Sequence, residues 1–341
     1  MTWKFWIALF LLACCAGGRT HGARAEDPGQ ARAEAAGQAL LGQPGPLAIL
    51  RTLDGQTIDL GALYGKQPVY LKFWATWCIP CREQMPGFEK DFEALGDKIA
   101  TIAVDVGFSE TEARIRAFRQ QHGLKMPIAI DDGSLAAALN LRVTPEHIVI
   151  GRDGKILYVG HLADDKLHQA LAQAIAESGG PAAGAALQTE PVYHVGDHVP
   201  AEQLATLDND TFPIGGPGLD RGLRALLFFS PGCESYLVLS LPATGAACKR
   251  VREQVTALLG RKDIHWLGVA AGLWTLPKDV TGWLTSVNFP LPAVLDTDGH
   301  LFHRFGITEI PAVVLIDSSG KVVRVLGPDE PDISAAIQSA H

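Results

Sequence analysis

The chain has 341 residues, more than one ordinary domain needs and enough for two of average size. With 47% hydrophobic and 19% charged residues it has a globular balance that can bury a core in each half. A net charge of −8 argues against an electrostatic footprint for nucleic acid or an anionic membrane, so no nucleic-acid partner is expected.

Residues 1–25 read as a signal peptide. Lys4 supplies a positive start, and Phe5 to Cys15 is an apolar run without a charge, too short to cross a bilayer as a mature helix. Ala23-Arg24-Ala25 then offers a small-residue cleavage site before Glu26. Leu11-Leu12-Ala13-Cys14 is a rival signal, a lipobox whose cleavage would leave a chain anchored by lipid at Cys14. The soluble form is the leading expectation. Either way the protein is exported, with the periplasm as the expected compartment.

After cleavage at the small-residue site, four of the six cysteines remain as one pair per half: Cys78 with Cys81, and Cys233 with Cys248. Pairs in an exported chain suit disulfide chemistry, structural or catalytic.

Residues 26–41 read as an N-terminal linker, and the first folded unit as 42–178. Asp54-Gly55 signals a hairpin, and Val69–Trp74 is an apolar strand running toward Cys78. A helix is expected from Cys81. A second starts at Ser109, with Glu112 completing a capping box, buries Ile115 and Phe118, and closes at Gly123. Strands at Ile99–Val104, Ile128–Ile130, His147–Ile150 and Lys155–Val159 follow, then a helix to about Glu177. Strand–helix alternation ending in a hairpin predicts an α/β unit, a mixed central sheet flanked by helices.

A linker-like stretch, 179–191, separates this unit from a second at 192–341 that repeats its landmarks. The strand Ala225–Phe229 precedes Cys233 as Val69–Trp74 precedes Cys78. Leu291-Pro292 matches Met126-Pro127, and Ile310-Pro311 matches Thr144-Pro145. A repeat of about 150 residues means tandem domains rather than a solenoid.

Trp74-Ala75-Thr76-Trp77-Cys78-Ile79-Pro80-Cys81 is the most informative run. Two intervening residues at a helix start bring two sulfurs into bonding reach, and the helix N-terminus stabilises a thiolate. Cys78 would attack a substrate disulfide and Cys81 would resolve the mixed disulfide. A zinc half-site is the rival, but no second Cys/His pair follows at zinc spacing. A purely structural bond is the other rival, but so short a loop constrains little of the unfolded chain.

The run resembles the dithiol site of thioredoxin-like proteins of the TlpA/ResA type, over about residues 42–178 and more weakly over 192–341. The resemblance implies tandem thioredoxin-like folds and thiol–disulfide oxidoreductase activity without a cofactor or metal. It also implies a cis-proline at Pro145, with the backbone at Thr144 binding the incoming peptide, and Pro86 kinking the helix that carries the dithiol. Cysteine-containing exported proteins would be the partners, and a membrane thiol reductant the electron donor. Thioredoxins place a buried acid where this chain has Lys72. Behind the dithiol its amine would tune the thiolate pKa, but a lysine snorkelling to water is the slightly favoured expectation. His147 reads as a hydrogen-bonded core histidine rather than a base.

In the second unit 14 residues, Glu234 to Ala247, stand between the cysteines. Pro242 and Gly245 predict a loop there. Cys233 and Cys248 are left open as a second redox site or a structural disulfide, with Pro311 at the matching cis-proline position. A peroxidase of the redoxin type, and a non-enzymatic assembly or copper-handling factor, remain the alternative functions.

Overall fold

The computed structural model describes residues 27–188, 190–216, 219 and 222–339, so the proposed signal peptide and Cys14 lie outside the described residues. In the first half, α1 (Pro28–Gly37) precedes the hairpin β1 (Ile49–Arg51) and β2 (Thr57–Asp59). Then come β3 (Val69–Trp74), α2 (Ile79–Leu95), β4 (Ala100–Asp105), α3 (Glu112–His122) and β5 (Ile128–Ile130). The antiparallel pair β6 (Glu146–Ile150) and β7 (Ile156–Gly160) and the helix α4 (Asp165–Ala176) close the unit.

Its five-stranded sheet has the order β5-β4-β3-β6-β7. β3 runs parallel to β4 and antiparallel to β6. Every residue of β3 is buried, as a central strand covered on both faces requires.

The second half repeats the plan. A hairpin, β8 (Gln203–Ala205) and β9 (Thr211–Pro213), leads to β10 (Leu223–Phe229), α5 (Pro242–Leu258), β11 (Ile264–Ala271) and α6 (Pro277–Ser286). β12 (Ala293–Asp296), β13 (Ala312–Ile316), β14 (Val322–Leu326) and α7 (Ile333–Gln338) complete it. The sheet order β12-β11-β10-β13-β14 is the same as in the first half. The halves are not separate beads, because one apolar cluster runs from Trp74 and Trp77 through to Phe228, Leu267 and Phe302.

Four expectations are corrected. Residues 28–37 form a helix where a linker was expected, with Asp27 accepting from the N–H groups of Gly29 and Gln30. The dithiol helix begins at Ile79, two residues before Cys81, because Cys78 itself caps it. The next helix is capped by Thr111, whose side chain accepts from Arg114 N–H, rather than by Ser109, although Gly123 does end it in the left-handed region.

The insertion between Cys233 and Cys248 is mostly helical rather than a loop. A wide turn at Cys233–Leu237 leads into a short helix, Val238–Ser240, and Pro242 then starts α5. Proline at the first helical turn is compatible with a helix, since its missing N–H would have had no partner there. Gly245 serves packing, because a Cβ there would sit 2.6 Å from Val238 Cβ.

Candidate active site

The dithiol stands where β3 passes into α2. Cys78 is in an extended conformation, and its Sγ accepts the Cys81 N–H at 3.2 Å, so the sulfur is the helix cap. The two cysteines are joined in a disulfide with Cα atoms 5.2 Å apart. The unpaired N–H groups of a helix N-terminus favour negative charge at this sulfur once it is reduced.

The loop before it is pinned by a buried acid. Glu110 Oε1 accepts from Thr76 N–H at 2.5 Å and from the Thr76 hydroxyl at 2.6 Å. The indole of Trp77 donates to the Phe108 carbonyl at 2.7 Å. Asp105, buried at the end of β4, has its carboxyl pushed well up, first by desolvation and then by the charge of Glu110.

Thr144–Pro145 is a cis peptide, as is Ile310–Pro311 in the second half. Cys78 Sγ lies 3.5 Å from the Thr144 carbonyl oxygen, so the dithiol and the loop ending β6's approach form one surface.

Lys72 is fully buried, which overturns the snorkelling expectation. It points from β3 toward the dithiol helix, where its Nζ donates to Gln84 Oε1 at 2.9 Å. Burial pushes its pKa down to about 7, against a weaker opposing pull from Asp91.

Gln84 is the hub of this network. The same Oε1 is 2.9 Å from His147 Nε2, so that nitrogen carries the proton. His147 Nδ1 then accepts from the Tyr70 hydroxyl at 2.7 Å. His147 is thus held neutral at both nitrogens, and desolvation pushes its pKa well below the ordinary value. The amide of Gln84 donates to the His161 carbonyl at 3.2 Å, and His161 Nδ1 reaches the Pro145 carbonyl at 2.6 Å. Hydrogen bonds therefore connect Lys72 to the cis-proline loop.

Sequence reasoning missed Gln84, His161 and Glu146. A carboxylate directly after Pro145 in an apolar strand was the available signal for Glu146. It is fully buried, and desolvation raises its pKa well above the carboxylate range. Gln84 and His161 carried no comparable signal.

In the second half Cys233 and Cys248 form a disulfide with Cα atoms 6.3 Å apart. Both are buried, and Cys248 lies inside α5 rather than at its start.

The AhpC/TSA family model matches residues 41–159. The thioredoxin-like protein YneN of Bacillus subtilis is 37% identical over 133 residues, 38% of this chain and 78% of that protein. The chain belongs to the thioredoxin-like thiol–disulfide oxidoreductases. The thiol–disulfide oxidoreductase ResA of Bacillus anthracis is 34% identical over 119 residues, 34% of this chain and 67% of ResA. Among solved structures, the exposed lipoprotein thioredoxin of Streptococcus pneumoniae shares 27% identity and a TM-score of 0.34, covering 38% of this chain and 96% of that one. As a thiol–disulfide oxidoreductase the chain carries its Cys-x-x-Cys pair within the matched segment. Among the described residues no helix is long and apolar enough to cross a membrane.

Proposed function

We propose that the protein is exported to the periplasm and reduces or isomerises disulfides of other exported proteins. The carrying observation is that Cys78 Sγ caps α2, 3.2 Å from Cys81 N–H and 3.5 Å from the Thr144 carbonyl. A sulfur so placed is stabilised as thiolate and stands beside a backbone edge able to hold a peptide.

In the reduced protein the Cys78 thiolate attacks one sulfur of a substrate disulfide, forming a mixed disulfide and expelling the other sulfur as a thiolate. Cys81 then loses its proton and attacks Cys78, closing the intramolecular bond and releasing the second substrate thiolate. Two electrons have passed to the substrate. A thiol donor, proposed to be a membrane reductant, restores the dithiol. Below about pH 7, where it keeps its proton, Lys72 favours the thiolate by its positive charge from behind the helix, and Thr144 with Pro145 orients the peptide. Export is supported by the charged, apolar and small-residue regions of residues 1–25.

Insulin-disulfide reduction with a thiol donor tests the activity, and the reduction potential of the Cys78–Cys81 pair tests its direction. A value near or below about −250 mV supports reductase, whereas one above about −180 mV supports an oxidase or isomerase. Failure both to reduce insulin and to reshuffle a scrambled disulfide substrate would overturn the proposal.

A further inference from the structure

Cys78 is only 1% exposed, yet attack on a disulfide needs open approach to its sulfur. Segments of the second half bond to the residues that flank the dithiol.

On one side stands the loop after β11. Trp274 donates its backbone N–H to the Arg142 carbonyl at 2.8 Å and its indole N–H to the Thr144 carbonyl at 3.1 Å. Trp274 thus bonds both carbonyls on the segment that leads to the cis-proline, the edge proposed to hold a peptide. Trp274 has φ +60°, a left-handed conformation that a bulky side chain rarely adopts. On the other side stands the segment closed by Cys233–Cys248. The Tyr236 hydroxyl accepts the Ile79 N–H at 3.0 Å, and the Ser240 hydroxyl donates to the Trp77 carbonyl at 3.2 Å. Two segments from the second half thus straddle Cys78.

We propose that Trp274 is an intramolecular plug, and that a protein disulfide reaches Cys78 only after Trp274 leaves the Arg142–Thr144 edge. The second half is then the resident occupant of the peptide-binding edge and competes with substrate for it. This rests on the reading of Cys78 as the attacking sulfur. Space for such a movement exists, because a cavity of about 510 Å³ is lined by Trp77, Pro80, Tyr236, Trp274 and Trp283. The polar contacts are few, and the wall beside the dithiol is not close-packed.

In a closed–open equilibrium, apparent reactivity falls in proportion to the open fraction, so loosening the plug should raise it. The test uses the full-length reduced protein and compares the native chain with Trp274→Ala. The readouts are the alkylation rate of Cys78 by a bulky maleimide and kcat/KM for insulin. Both should rise about tenfold if the open form is about one molecule in ten in the native chain. Trp274→Phe, which removes the indole N–H bond to the Thr144 carbonyl and keeps an aromatic ring, should raise both rates in the same direction. It decides the question if Trp274→Ala does not fold. Native rates in a folded Trp274→Ala, or in Trp274→Phe where Trp274→Ala fails to fold, would overturn the plug. A different result marks failure of the functional reading itself: Cys78 alkylates faster in the variants, but neither they nor the native chain reduces any disulfide.

Discussion

Lys72 Nζ donates to Gln84 Oε1 at 2.9 Å, tying an amine on the central strand to the helix that Cys78 caps. Because Gln84 lies three residues beyond Cys81, one turn along that helix, the amine acts on the dithiol from behind. Replacing Lys72 with Met removes the positive charge but keeps the bulk. The thiolate pKa of the Cys78–Cys81 pair should rise, read as the pH dependence of ultraviolet thiolate absorbance. An unchanged titration would remove Lys72 from thiolate tuning.

The same residue makes stability depend on pH. Its folded pKa of about 7 lies below the ordinary lysine value of 10.5, so between these values the unfolded chain binds the proton and the native one does not. Stability then rises with pH across that window, and below about 7 the cost of burying the charge is fully present. Urea unfolding of the native chain and Lys72→Met should diverge by about 2–3 kcal/mol in favour of the native chain between about pH 7 and pH 9. A constant difference would show that Lys72 keeps its proton throughout.

The two cysteines of the first pair should behave differently when replaced. Cys78→Ser should abolish disulfide reduction. Cys81→Ser should retain attack and accumulate mixed disulfides with partners, visible on non-reducing gels. Trapping by Cys78→Ser instead would reverse the assigned roles.

The second disulfide should be a staple. Cys248 sits inside α5, away from the free N–H groups that stabilise a thiolate at a helix start. Redox titration with alkylation and mass spectrometry should find Cys233–Cys248 closed down to about −300 mV. Cys248→Ala should cost about 3 kcal/mol of stability, as expected for a loop of this length. Opening at the potential of the first pair would make it a second redox site.

Gly245→Ala tests the packing that holds the inserted helix. An added Cβ would meet Val238 Cβ at 2.6 Å, well inside contact distance. The gain in helix propensity, about 1 kcal/mol, should be outweighed by overpacking of about 1–3 kcal/mol. Thermal unfolding that moves upward instead would show that Val238 yields freely.

The sequence by itself determined the dithiol and the repeat, because each depends on local spacing, whereas the cis-proline positions came from the resemblance to thioredoxin-like proteins. The inserted segment was misread on local signals. Pro242 and Gly245 look like breakers in isolation, but one starts the helix and the other makes room for Val238. The burial of Lys72 and its bond to Gln84 required the packed arrangement of β3 against α2. Only the tertiary structure decided that Trp274, 130 residues from Thr144 along the chain, covers the edge beside Cys78. Contacts of that separation leave no period or motif, since they arise from how the two sheets pack rather than from any run of neighbouring residues.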